Sequence, residues 1–411
     1  MESIAVRTSQ SSRPWAFLSP DLLLIITGHL HHATDFVRFH AVCRPWRDAV
    51  PSLFSPAAPR KTFMPWILSQ PDGRIMHYPV IYLGHIASEG SPTERNSIIL
   101  TEPGDGGIRN WVVDADGWAA WLFASGPDPT LSNLVTGAIR SLPPFPVDNN
   151  GIEQRMSNPL GIVYNDGNVF LYNFFSNSFG RNVVFLAAIL NPGTLTWTVV
   201  EKRLDLRVRD DSCAVYHDGK ILLWVGMYHW CVLTPNDAAC GGDIDGGRFE
   251  TTWDELQEEK YVRFRNYILE SRGELFRASV LLERKGLREY IFDSAPPTLE
   301  VSIHAMEEVD DDSGKKQWVE RDNRSLHDRV FFLGSPTSFA KEAAELGMDG
   351  GCAYFVFNEC VVRYNLITRE TKPMEGIYPE CGFGNMRVWL RPQPTVAPIL
   401  EIRERLEKRK E

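Results

Sequence analysis

Three aspartates recur at a near-constant interval: Asp116, Asp166 and Asp218 lie 50 and 52 residues apart, each followed by glycine and an apolar segment. Carboxylates gathered from successive repeats are what a glycosidase needs, one to protonate the leaving group and one to attack or to activate water. Their local context argues against that use. Asp-Gly between two apolar runs is the strongest short-range hairpin signal, because both residues tolerate positive φ. All three therefore read as turns leading into strands (WAAWLF, VFLY and ILLWV). Asp310-Asp311-Asp312-Ser313-Gly314-Lys315-Lys316 lacks the alternating oxygens and terminal glutamate of a calcium loop and reads as a solvated loop. Gly241–Gly247 has no following Lys-Ser/Thr and no strand-to-helix setting, so no phosphate cradle is expected. His29, His31 and His32 have no carboxylate or thiolate companion at metal spacing and read as a solvated helix end. GxSxG, HExxH and Cys-His nucleophile patterns are missing from the sequence. The expectation is no catalytic residue, no metal and no cofactor.

Charge and cysteine usage narrow the partners. The chain has 411 residues with 43 Lys+Arg against 53 Asp+Glu. Residues 1–60 carry a net +2 and the remainder −12. An acidic body repels phosphate backbones, so no nucleic-acid partner is expected. Seven cysteines, at 43, 213, 231, 240, 352, 360 and 381, form no CxxC pair, which points to a reducing compartment, cytoplasm or nucleus. The longest apolar run, Val183–Leu190, falls far short of the roughly 18 residues of a membrane span, so no membrane partner is expected either. Residues 1–14, with Glu2 and no apolar h-region, read as a disordered leader.

The elements that would position a site begin with a helical stretch. Ser19 is a fit N-cap, Pro20 suits the first helical position and Asp21 complements the helix dipole. Leu22, Ile25, Ile26 and Leu30 fall at the spacing of one helical face, which Leu23 and Leu24 widen. Thr34 or Asp35 can cap a second helix carrying Phe36, Phe39, Ala41, Val42 and Cys43. Pro45 sets a boundary before a third helix with Trp46, Ala49 and Val50. Three short helices cannot bury this much apolar surface among themselves, which suggests a partner helix or groove.

The run Leu18-Ser19-Pro20-Asp21-Leu22, then Ile25, Leu30, Asp35, Phe36 and Arg38, then Val42-Cys43-Arg44-Pro45-Trp46-Arg47 resembles an F-box over residues 15–52. Gly28 and His29 depart from it, falling where the first helix of that motif continues. The resemblance implies a three-helix motif docked on a Skp-type adaptor and, through it, on a cullin scaffold. Leu18, Pro20, Leu22, Ile25, Leu30, Val42, Cys43 and Trp46 match positions of adaptor contact or of the motif's own small core, and the sequence leaves those two roles open.

After a linker at 53–60, residues 61–398 read as short strands rich in Val, Ile, Phe, Tyr and Trp. Besides the Asp-Gly turns, Asn133-Leu-Val-Thr-Gly, Asn191-Pro-Gly-Thr-Leu and Asn365-Leu-Ile-Thr-Arg recur, and Trp197, Trp253 and Trp318 lie 56 and 65 residues apart. A period near 50 residues with four short strands marks a kelch-like β-propeller, here of about six blades. The fold class expected is therefore mainly β: a three-helix F-box followed by a propeller, closed by a charged helix at 399–411. The span also resembles the plant family of KIB-type β-propellers. The resemblance is carried by Asp116-Gly117-Trp118, by Asn133 to Pro143, by Tyr267-Ile-Leu-Glu-Ser-Arg-Gly-Glu-Leu275, by Asp328 to Gly334 and by Gly351-Cys-Ala-Tyr-Phe355.

Together these readings predict a non-catalytic substrate-recognition subunit of a Skp-cullin-F-box ubiquitin ligase. The helices would bind the adaptor, and the propeller would present an unidentified target protein through loops with candidates such as Tyr228 and Trp230. Two alternatives remain at this stage. One is a propeller enzyme or carbohydrate-binding module with a helical cap, and the other is an F-box scaffold that directs no degradation.

Overall fold

The computed structural model describes residues 14–49, 62–69, 75–79, 97–98, 110–115, 119–124, 128–133, 139–146, 151–156, 159–164, 167–176, 183–191, 195–204, 212–225, 229–233, 261–283, 298–308, 316–357, 360–374 and 387–391. They fall into two compact units, one within residues 1–64 and one within 65–392. The expected leader (apart from Pro14), the linker at 53–60, the C-terminal helix, the Gly241–Gly247 run, Asp310–Lys315, Asp116, Asp166, Tyr228 and Trp253 lie outside the described residues.

The first unit is helical. A 3-10 turn at Pro14–Phe17 precedes α1 (Pro20–Gly28), α2 (Ala33–Val42) and α3 (Arg44–Asp48). Ser19 caps α1, its hydroxyl accepting the Leu22 N–H at 3.4 Å, with Pro20 in the first turn. Gly28 is the last residue of α1 and His29 its C-cap, so the glycine ends the helix where its conformational cost is smallest. The cap of α2 differs from expectation. His32 occupies it without a side-chain bond, and Asp35 lies in the first turn, paired with Arg38 at 3.1 Å. Cys43 is fully extended between α2 and α3, which leaves Pro45 in the first turn of α3 where its missing N–H costs nothing.

The second unit is built of mostly antiparallel sheets with two parallel pairings. β1 (Trp66–Ser69), β2 (Ile75–Pro79) and β3 (Ser97–Ile98) form the first meander, and β4 (Asn110–Asp114), β5 (Ala120–Ala124), β6 (Thr130–Asn133) and β7 (Ile139–Ser141) the second. A short helix α4 (Ile152–Arg155) leads to β8 (Leu160–Val163), β9 (Val169–Ser176), β10 (Val183–Leu190) and β11 (Thr198–Leu204). The first strands of these last two meanders, β4 and β8, pair in parallel. β12 (Ser212–His217), β13 (Lys220–Val225) and β14 (His229–Leu233) follow, then β15 (Tyr261–Ser271), β16 (Glu274–Glu283), β17 (Leu299–Glu308) and β18 (Lys316–Glu320). The next sheet contains β19 (Arg329–Leu333), β20 (Phe339–Glu342), β21 (Cys352–Phe357), β22 (Cys360–Asn365) and β23 (Thr371–Pro373), with α5 (Ala343–Leu346) after β20. Finally β24 (Arg387–Leu390) returns to pair with β1, so strands from the two ends of this unit share one sheet. Trp389 on β24 is buried, and its indole N–H donates to the Leu333 carbonyl of β19 at 3.0 Å.

Turn chemistry sets the registers. Asp218 and Gly219, at φ 50 and 74, form a tight turn of the type that Asp-Gly favours, with His217 opposite Lys220. Arg272 and Gly273 (φ 56 and 78) do the same between β15 and β16, so the Tyr267–Leu275 segment spans a hairpin turn. The Asn365 side chain accepts the Ile367 and Thr368 N–H groups at 2.9 and 2.8 Å, the Asx turn that its sequence announces. Trp197 is buried, stacked on Phe145 with centroids 5.0 Å apart, and donates to the Pro143 carbonyl.

Candidate functional site

In the helical unit, buried Leu23 and Phe39 form the centre, and Leu18, Ile26, Leu30, Trp46 and Ala49 pack against them. Leu23, Ile26 and Thr27 thus make the inward stripe of α1, with Leu30 just beyond its end packing on the same side. Leu22 and Ile25, which the spacing grouped with Ile26 and Leu30, instead face solvent at 49% and 58% exposure. In an unbroken apolar run from Leu22 to Ile26, two stripes satisfy helical spacing, and only packing against α2 selects between them. On α2, Phe36 and Phe39 are buried, while Ala41 and Val42 are exposed.

The eight residues matched to the F-box therefore separate into two groups. Leu18, Leu30 and Trp46 belong to the small core. The Trp46 indole N–H also donates to the Trp15 carbonyl at 2.8 Å, fixing the 3-10 turn. Pro20, Leu22, Ile25 and Val42 are exposed, and Cys43 is half-buried. Leu24 adds another exposed leucine to α1. These exposed side chains keep apolar surface in water, and burying each would be worth about 1.5–3 kcal/mol. Two imidazoles lie close to this core. His40 packs edge-on against Phe36 at 4.6 Å, and burial, reinforced by the Arg47 charge, lowers its pKa. His32 is also lowered, chiefly by burial.

The β unit contributes a cleft of about 300 Å³. It is built from the ends of strands far apart in sequence: Ala115 after β4, Tyr216 on β12, Glu270 on β15, Phe339 on β20 and Arg391 after β24 all line it. Arg272, on its wall, donates from Nε to Glu342 Oε1 at 2.6 Å and from Nη2 to Asp328 Oδ2 at 2.7 Å, with a further contact to Glu342 Oε2. The guanidinium beside it holds the Asp328 carboxyl below the usual carboxylate range. A general acid needs the opposite perturbation. Asp218, one of the three recurring aspartates, sits exposed in its hairpin turn and does not line the cleft. Cys213 and Cys231 are buried thiols pushed up to about 11 and about 12 by desolvation, the reverse of an activated nucleophile. Among the described residues no group of three His, Cys, Asp or Glu side chains comes together as a metal site, and no helix is long and apolar enough to cross a membrane.

Trp230, expected on a loop, lies instead within β14, opposite Trp224 and packed against the core. The apolar segment HWCVL extends the β13 ladder and leaves Trp230 half-buried. Sequence reasoning missed the cleft residues Tyr216, Glu270 and Arg272. The one signal that could have singled out Tyr216 is an aromatic one residue before the turn-flanking end of a strand whose first four residues are buried.

No curated protein matches the chain in sequence. Among solved structures, it is similar to the GH93 alpha-L-arabinofuranosidase of Fusarium graminearum (9% identity, 69% of this chain and 92% of that one, TM-score 0.34). It is similar also to the Cps50 (Swd1) beta-propeller domain of Myceliophteria thermophila (10% identity, 79% and 92%, TM-score 0.32). Neither likeness transfers an activity or a partner. The sequence model of the KIB1-4 beta-propeller family matches residues 92–379, most of the β unit with its meanders and hairpin turns. The chain is mainly β with a propeller fold, and it belongs to the KIB1-4 beta-propeller family.

Proposed function

We propose that this protein is the substrate-recognition subunit of a Skp-cullin-F-box ubiquitin ligase, with residues 15–52 serving as an F-box that grips a Skp-type adaptor and the propeller presenting a target protein. The observation that carries this reading is the exposure of Leu22 and Ile25 on α1 and of Val42 at the end of α2, beside a small core of Leu23 and Phe39. A unit this small gains nothing by leaving those side chains in water, and a partner helix or groove would cover them. The propeller takes six blades in this reading. In support, the five sheets of described strands become six groups once the β4–β8 junction is treated as a boundary between blades and β24 is grouped with β1, the last group keeping the parallel pair β19–β21.

Catalysis then belongs to the partners. A rigid body that holds its target beside the conjugating enzyme's thioester turns a bimolecular lysine attack into a nearly intramolecular one, which needs no cofactor on this chain. The test is capture of the full chain by a purified Skp-type adaptor. Leu22→Ala/Ile25→Ala should weaken capture by more than about tenfold, one step of about 1.4 kcal/mol, with the helices still folded. Undiminished capture by that variant would exclude these side chains as the contact surface.

A further inference from the structure

We propose that the propeller cleft receives a peptide segment by one cationic side chain, arginine or lysine, held between the ring of Tyr216 and the carboxylate of Glu270. This deepens the receptor reading above, and rests on it for the claim that the peptide belongs to the target. β12 and β15 lie side by side, since the Cys213 thiol donates to the Ile268 carbonyl at 3.3 Å. Tyr216, on the face of β12 opposite Cys213, and Glu270, near the end of β15, both line the cleft of about 300 Å³. That volume is at the small end for ligand pockets and suits one long side chain with its flanking backbone.

The two groups are prepared for a cation. Tyr216 is 37% exposed, whereas most aromatic side chains among the described residues of this unit are buried, and its ring is supported by Tyr164 with centroids 4.9 Å apart. An exposed ring of this kind is a platform for ammonium or guanidinium. Glu270 is oriented from within its own hairpin, Oε1 accepting the Gly273 N–H at 2.8 Å, and no lysine or arginine among the described residues pairs with it. The cleft's own cations are otherwise engaged. Arg272 holds Glu342 and Asp328, the Arg391 guanidinium lies over the Phe339 ring at 4.9 Å, and Lys341 has an interaction of its own. Beyond the cleft, the net −12 of the chain after residue 60 draws cationic segments toward it and speeds their encounter.

Saturation-transfer NMR on the full chain, with the peptide Ac-Gly-Ser-Arg-Ser-Gly-amide and its Gln counterpart as probes, tests the proposal. The Arg peptide should receive saturation along its side chain at least about threefold more strongly than the Gln peptide, and the difference should shrink as salt is raised. Glu270→Gln keeps an acceptor for Gly273, and Tyr216→Phe keeps the ring. Glu270→Gln and Tyr216→Ala should abolish the difference, and Tyr216→Phe should retain it, all three unfolding at the wild-type temperature. Equal transfer to the two peptides, or a difference that survives Glu270→Gln, overturns the proposal. Adaptor capture is scored on the same preparations. Capture without peptide discrimination sinks the cleft assignment alone, and discrimination without capture sinks the receptor reading alone.

Discussion

Arg272, at the tip of the β15–β16 hairpin, is tied to Glu342 on β20 by an Nε to Oε1 hydrogen bond of 2.6 Å, so one side chain staples two sheets beside the cleft. The same guanidinium reaches Asp328, and both pairs are more than a third open to water on at least one side. Exposed pairs contribute little, and Arg272→Gly also relieves a left-handed residue at φ 56. The variant should therefore lose no more than about 1 kcal/mol, read as a drop of at most about 3 °C in the unfolding midpoint. A larger drop by calorimetry would mean that the staple is structural rather than a shaping element of the cleft.

Leu22 and Leu23 are neighbours in sequence with opposite roles. Leu23→Ala removes a buried side chain from the centre of the helical unit and should destabilise it by about 2–5 kcal/mol. Leu22→Ala should change stability by no more than about 0.5 kcal/mol. Hydrogen exchange of the α1 amides separates the two: protection collapses in Leu23→Ala and persists in Leu22→Ala. Equal losses would contradict the assignment of faces.

Acid should loosen the helical unit. His32 and His40 both have folded-state pKa values below the ordinary 6.5, chiefly through burial. The unfolded chain thus binds protons that the folded unit refuses, and stability present above about pH 6.5 declines as pH falls below that value. Asp35 acts against the shift at His32, and Arg47 adds to it at His40. α1 protection measured from pH 7.5 to 5.5 should fall with acidification in the wild type and much less in His40→Phe. A flat profile in the wild type would refute this.

Close backbone approach makes Gly161 indispensable to the β8–β9 ladder. A Cβ there would lie 2.4 Å from the Phe170 carbonyl oxygen and 2.8 Å from Leu171 Cδ2. Gly161→Ala should cost on the order of 1–3 kcal/mol or more, the scale of overpacking in a rigid interior. Urea unfolding at unchanged slope is the measurement, and a neutral result would mean that β8 has room to shift.

The propeller was legible because its signals are local. Asp218-Gly219 and Asn365 form the turns that their side chains dictate, and the apolar runs between turns form the strands. The helices were legible in position but not in facing, since five consecutive apolar residues from Leu22 to Ile26 fit two stripes equally. Trp230 was misplaced for a similar reason, because an exposed loop and a half-buried strand share that composition. The cleft could not be read at all. Tyr216, Glu270, Glu342 and Arg391 span 175 residues of sequence, and only closure of the sheets brings them to one cavity.

Titration of the purified 411-residue chain with a purified Skp-type adaptor, followed by size-exclusion chromatography, addresses the central claim most directly. Stoichiometric co-elution is predicted for the wild type, with Leu22→Ala/Ile25→Ala eluting apart from the adaptor while keeping its helical circular dichroism. A folded wild-type chain that fails to co-elute, or a double variant that co-elutes as well as the wild type, would contradict the account.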